Sequence, residues 1–558
     1  MRSLKLMTLA LVLAAMLPAA DLPPSRQNEV IDRILAQEYV EMRLLRQYAP
    51  LVETYIQYVR ADKQAGDVPD GDKYFLGRAE LAHGVVLESL NRDPGMKRKI
   101  FGGMGEFFAT EFVPGGFLQM IYLDMNGFDR NHYTFVYVGR EFLGEVRCLV
   151  FDLKPQPKSG KGRFVGRIWV EDQDYHIVRF NGIYGGPSLT SNYYNFDSWR
   201  MNVGKNLWVP AFVYTEGPGV RDPHARTLGL KAFRAQTRLW GYDLGNIREE
   251  QEVGKVLIEK PTRVIDHSDS GNDYSPVQAQ RSWDRMGEVN VTDRLERQGL
   301  IAPPGEVDQV LEAVVNNLEI TNNLDIQPGI RCRVLMTSTL ESFTVGHTIV
   351  LSRGLIDVLP DEASLAAILA HELAHVVLRH PMDTQFAFFD RAQSDDKWTF
   401  RHFDFARSPE EEQAANQTGA VLLWNSPYNE RSATAQLFLQ ALQDRSKDVP
   451  NLVSPHLGNR VMTNATVIPA RSGQTFELKP TVNVTAALPI GGRIKVDPWT
   501  DQLMLLKTKS IGAVAEDEKK PFQITPFVFY LTRQVDNSSA QAQAPGPKPD
   551  RVDIDPNL

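Results

Sequence analysis

The chain has 558 residues, 42% of them hydrophobic and 23% charged, and 61 Lys and Arg against 69 Asp and Glu give a formal net charge of −8. That composition excludes a wholly disordered, collagen-like or polytopic membrane chain, and mild acidity without a long basic run argues against nucleic acid as a partner. The length suggests about three or four folding units, and two cysteines, Cys148 and Cys332, exclude a disulfide framework and a Cys-only four-ligand zinc site.

At the amino terminus, Arg2 and Lys5 precede an apolar run from Leu6 to Leu17, and the small residues Ala19 and Ala20 follow. This pattern predicts a secretory signal peptide over 1–20. The mature chain is therefore expected to be exported, periplasmic or extracellular, and soluble or peripherally associated with a membrane. The run is too short to span a bilayer comfortably.

Val30, Ile31, Ile34, Leu35, Tyr39 and Met42 fall at helical spacing, and residues 21–80 are read as a helical segment. Over 81–265, aromatic and β-branched residues alternate with polar ones between Gly, Pro and Asn turns. Tyr133–Val138, Arg167–Val170, His176–Phe180 and Leu207–Tyr214 read as strands, with a hairpin turn at Asp172–Asp174. Residues 266–279 form a polar, turn-rich linker. Val307, Val310, Leu311, Val314, Val315 and Leu318 then make a helical stripe, followed by short strands near Arg333–Met336 and Thr348–Leu351. Residues 466–535 return to strand-like patterning, and 536–558 have a composition that favours disorder. The fold class is α+β and multidomain. A β-rich amino-terminal domain precedes a mainly helical domain (280–465) with a small edge sheet, and a small carboxy-terminal β domain follows.

The chemistry concentrates in PDEASLAAILAHELAHVVLRH, residues 360–380. Pro360, Asp361 and Glu362 suit a helix start, and Leu365, Ile368, Leu369 and Val376 supply its buried stripe. His371, Glu372 and His375 form H-E-x-x-H. The histidines are one turn apart on one face, which suits two ligands of a tetrahedral zinc, and Glu372 lies beside the first as a general base. A third ligand is required. Ser408, Pro409 and Glu411 read as N-cap, first position and capping-box partner of the next helix. Glu412, one position on, is then free to face the first helix with Asn416 and Gly419. Glu412 is assigned as the third ligand, with His402 and Asp404 as fallbacks.

On these residues the chain resembles the HtpX-like and CAAX-prenyl-protease-like zinc metallopeptidases of peptidase family M48, over about Gln280–Met462. GLIDVL at 354–359 and the H-E-x-x-H helix carry the resemblance. It implies a zincin-type fold for 280–465 and one zinc ion per chain, held by His371, His375 and Glu412, with polypeptide substrates. The family's later E-x-x-x-D motif becomes Glu412-Gln-Ala-Ala-Asn416, so an amide replaces the carboxylate that supports a ligand histidine. SPHLGNR at 454–460 resembles the family's later His and Arg, which implies His456 near the oxyanion and Arg460 in support. The strand Thr344–Leu351 resembles the family's edge strand, so Ser342, Phe343, Thr344, Val345 and Gly346 are the implied substrate-binding stretch. His380 is expected to cap the helix end. The implied activity is metalloendopeptidase in envelope protein quality control. Separately, GRIWVEDQDYHIVRFNG at 166–182 resembles lipoprotein-carrier-like (LolA-type) domains, which cup an apolar ligand. The rival reading is therefore a zinc-containing chaperone or apolar-ligand binder with a weakened peptidase site. No G-x-S-x-G motif or phosphate loop is present.

Overall fold

The computed structural model describes residues 24–63, 66–82, 86–90, 117–125, 127–160, 162–185, 194–204, 206–217, 231–242, 276–381, 387, 396–461, 487–497, 499–506 and 519–534. The expected signal peptide, most of the linker and the tail beyond 534 lie outside these residues.

The first body is a helix on a broad sheet. Helix α1 (Pro24–Leu45) is followed by β1 (Leu51–Ala61), β2 (Asp67–Glu80), β3 (Val86–Ser89), β4 (Tyr133–Leu143), β5 (Val146–Pro155), β6 (Arg163–Glu171), β7 (Ile177–Gly185), β8 (Asn195–Gly204), β9 (Leu207–Glu216) and β10 (Phe233–Trp240). Among the described residues these make one ten-stranded sheet in the order β3-β2-β1-β10-β9-β8-β7-β6-β5-β4. Every neighbouring pair is antiparallel.

The helical reading of residues 21–80 is corrected: the helix stops at Leu45, and 51–80 are two long strands. Pro50 disfavours helix at the residue before it. LVETYIQYV, residues 51–59, then has a period of two, not 3.6. Val52 and Ile56 join Val30, Ile31 and Ile34 of α1 in one core. Leu51 and Tyr55, on the opposite face, join a second core shared with the zincin-type segment. A buried charged group docks α1. The Arg200 guanidinium donates to Glu38 at 2.6 and 2.7 Å and to Glu41 at 3.1 Å. Removing one member of such a buried set costs about 3–5 kcal/mol, because its partner stays buried and uncompensated.

The second body comprises α2 (Pro276–Arg297), α3 (Glu306–Thr321), β11 (Arg331–Leu335), β12 (Glu341–Val345), β13 (Thr348–Ser352), α4 (Arg353–Val358), α5 (Glu362–Val377), α6 (Asp396–His402), α7 (Pro409–Trp424), α8 (Ser432–Arg445) and β14 (Asn459–Arg460). Its sheet runs β11-β13-β12-β14, with β11 and β13 parallel and the other pairs antiparallel. The expected strand Thr344–Leu351 is two strands, because Gly346 at φ 60° reverses the chain between β12 and β13. The α3 stripe is buried except for Val310.

The carboxy-terminal residues add a two-stranded sheet of β15 (Ile494–Val496) and β16 (Leu503–Leu505). Its flanks are tied to both bodies. The Asp357 carboxylate of α4 accepts the backbone N–H groups of Gly491, Arg493 and Ile494. Phe529 lies 5.6 Å from Trp199 and 5.5 Å from Phe212, centroid to centroid.

The two bodies meet through buried polar anchors on β1 and β2. Glu53 accepts from Ser338 Oγ at 2.7 Å, Arg353 Nη2 at 3.0 Å and Tyr74 Oη at 2.9 Å. Asp72 accepts from the backbone of Asn451 and Leu452 at 2.9 and 2.8 Å. Trp199, Phe212 and Trp240 on this face share the second core with the zincin-type segment. A filled core, not an apolar cup, occupies that face. Cys148 and Cys332 are both buried and free. No described helix is long and apolar enough to cross a membrane.

Candidate metal centre

Two helices and one strand build the site. Asp361 caps α5, its carboxylate accepting from Ser364 N at 2.9 Å. Ser408 caps α7, with Pro409 at the first position and Glu411 reaching back to the Ser408 N–H. That capping box occupies Glu411 and leaves Glu412 turned inward, 4% exposed. The helices cross in backbone contact at Gly419. A Cβ there would stand 2.9 Å from Ala370 O and from His371 Cα. Gly419→Ala is therefore expected to push α7 off α5 at the first histidine, costing roughly 1–3 kcal/mol. The checks are the melting temperature and metal content of the variant; wild-type values for both would refute the close-contact argument.

His371 Nε2 and His375 Nε2 lie 3.2 Å apart. Glu412 Oε1 is 3.3 Å from His375 Nε2, and Oε2 is 3.5 Å from His371 Nε2. The three donor groups lie within 4.8 Å of one another. Two imidazoles and one carboxylate converging from two helices fit zinc in type, number and spacing, and leave a fourth position open. Burial works to raise the Glu412 pKa, but hydrogen bonds and charge from both histidines overcome it and hold it at about 2. Burial likewise works to lower the His371 pKa. Glu412, the Glu372 charge and a hydrogen bond donated to the Asn416 oxygen outweigh that and raise it. The Asn416 Nδ2 amide is buried without a hydrogen-bond partner, so its oxygen serves His371 while the nitrogen that replaces a carboxylate oxygen goes unsatisfied.

His380 does more than end the helix. Arg379, at φ 55°, turns the chain left-handed, while Arg379 N bonds Val376 O and His380 N bonds His375 O. This is a Schellman stop. It lays the His380 ring on His375, with Nδ1 to Nδ1 at 2.8 Å. A bond at Nδ1 fixes which His375 nitrogen faces the cluster. Sequence reasoning saw the cap and missed this contact. A histidine just past the left-handed residue of such a stop was the available signal.

Glu372 is 2% exposed, and its Oε1 accepts from Ser342 Oγ at 2.6 Å. Of the expected substrate-binding stretch Ser342–Gly346, only Ser342 is paired on both sides. Leu351 of β13 pairs Ser342 on one side, and Asn459 of β14 pairs it on the other. Farther along, Phe343 stacks on Phe405 at 4.7 Å, and Thr344 Oγ1 accepts from Arg407 Nη2 at 2.9 Å. Asn459–Arg460 takes this edge because the buried Glu341 carboxylate gathers the N–H groups of His456, Leu457 and Gly458 just before it.

The remaining candidates make contacts outside the converging group. His456 sets its ring 4.7 Å from Tyr74 of β2. The Arg460 backbone pairs with Glu341, and its side chain lies outside the described residues. His402 is exposed and bonds Trp398 O at 2.7 Å, and Asp404 accepts from Ala406 N. Neither fallback belongs to the converging group.

No curated protein matches the chain at a significant level. Among solved structures, the chain is similar to a DUF1329 family protein from Desulfovibrio piger, at 12% identity and a TM-score of 0.21, covering 38% of this chain and 94% of that one. Residues 305–454 match the model of Peptidase family M48, a span that contains His371, Glu372, His375 and Glu412. Over these residues the chain is similar to peptidase family M48, whose members are in general zinc-dependent metallopeptidases.

Proposed function

We propose that the chain is an exported zinc metalloendopeptidase that hydrolyses unfolded polypeptides of the cell envelope. The observation that carries the reading is the convergence of His371, His375 and Glu412 beside the buried Glu372 within the M48 segment. Those three side chains would hold the metal. Bound there, zinc would supply Lewis acidity that polarises the scissile carbonyl and makes water nucleophilic near neutral pH. Glu372 takes the proton of the attacking water on Oε2, since Oε1 is engaged by Ser342, and returns it to the leaving amide nitrogen. His380 steadies His375 throughout. His456, its backbone fixed by Glu341, is the candidate to steady the developing oxyanion. The envelope location rests on the amino-terminal export pattern.

One pair of observations favours a second reading, a zinc-containing chaperone with a weakened site: Asn416 stands where the family carries a carboxylate, and β14 covers part of the β12 edge. The two readings separate on fluorescein-labelled β-casein. The purified chain is expected to cleave it, to lose cleavage with 1,10-phenanthroline, and to regain it with stoichiometric zinc. Cleavage that survives chelation would overturn the peptidase assignment at this site. Casein held soluble but uncut would establish the chaperone.

A further inference from the structure

Ser342 faces a direction that substrate pairing does not explain. Its backbone is taken on both sides, by Leu351 and Asn459. Its hydroxyl leaves the strand toward α5 and meets Glu372 Oε1 at 2.6 Å, in a place where Ser342 is 3% and Glu372 2% exposed. An O–H donor this close to a carboxylate makes a strong, directional bond. The strand behind it is fixed in turn. Glu341, wholly buried, holds three consecutive N–H groups of the loop at 456–458 and accepts from Thr339 Oγ1 at 2.7 Å. The Ser352 hydroxyl receives the Glu341 N–H at 3.2 Å. Ser342 therefore cannot drift, and neither can the carboxylate it holds.

We infer that Ser342 is a positioning residue for Glu372: its hydroxyl locks one carboxylate oxygen so that the other points at the reacting water. The inference deepens the peptidase reading and rests on it for its kinetic arm. One oxygen is spent on orientation and one does the proton transfer, so the base reaches its working geometry before substrate arrives. A base loose by about 1 Å can cost on the order of 10²-fold in rate.

The test compares Ser342→Ala, Ser342→Cys and Ser342→Thr in the full-length, zinc-loaded protein on labelled β-casein. Ala and Cys are expected to lower kcat by roughly 10- to 100-fold, with KM within about twofold and zinc per chain unchanged, because neither offers a strong hydroxyl donor. Thr keeps the hydroxyl and is expected to restore most of the rate. Unchanged kcat in the Ala variant would overturn the inference, as would a Thr variant as slow as Ala. A metal-free measurement reads the bond without turnover. In chelated protein, Ser342→Ala is expected to lower the melting temperature when Glu372 is present and hardly at all in a Glu372→Ala background. Equal shifts in both backgrounds would also overturn it. Coupling in the melts without cleavage by wild type would sink the peptidase reading and support the positioning one.

Discussion

Glu372→Gln is expected to reduce hydrolysis by about 10²–10⁴-fold while leaving the zinc content and fold as in wild type. The substitution is close to isosteric, which matters at a site 2% exposed. A glutamine carbonyl can still accept from Ser342 Oγ, so the buried hydroxyl keeps its partner. What disappears is basicity at the second oxygen. The three metal-binding side chains are not altered. Initial rates on labelled casein, metal content by atomic emission and a thermal melt decide the matter together. A Gln variant that cuts at the wild-type rate would remove Glu372 from the mechanism. One that loses zinc would make it a structural member of the cluster.

Most of this cluster could be read from local sequence. His371, Glu372 and His375 lie within five residues on a well-capped helix, and spacing alone fixes their relation. Glu412 was reachable because a capping box is also local: once Ser408 and Glu411 pair, the next position turns inward. The supports were not legible. Ser342 lies thirty positions from Glu372 and reaches it only because β12 runs under α5. The contact of Gly419 with the His371 backbone depends on a helix crossing. At fold level, β1 was hidden by the strong helical period just before it. Its membership in the sheet is set by pairing with β10, far along the chain, which no local pattern contains.

The same distance separates sequence from the interface. Glu53 and Ser338 are 285 positions apart, yet Glu53 joins Ser338, Arg353 and Tyr74 in one buried group. Tyr74 also carries His456, and the His456 backbone N–H is held by Glu341, the neighbour of Ser342. Contiguous contacts thus run from the amino-terminal sheet to the strand that holds Glu372. The sheet packs through a filled core on the segment that carries the candidate metal centre.

Glu412→Ala is expected to take zinc from roughly one per chain to near none at neutral pH, since two histidines alone make a weak site. The pH dependence of loading tests the same geometry from another side. In the metal-free protein, burial opposes the His371 proton, but Glu412, Glu372 and Asn416 hold it more tightly than usual. Metal must displace that proton. Zinc affinity should therefore fall as pH drops through the raised His371 pKa, by about tenfold per unit for each proton displaced. Glu412 itself does not titrate in this range, because its pKa is held at about 2. In Glu412→Ala the largest hold on the His371 proton is gone, so whatever weak zinc binding survives should begin to fail at lower pH than in wild type. Competition titrations with a zinc chelator between about pH 5 and 8, the histidine range, measure both effects. Affinity independent of pH would mean that His371 is not among the ligands. Full zinc in the Ala variant would remove Glu412.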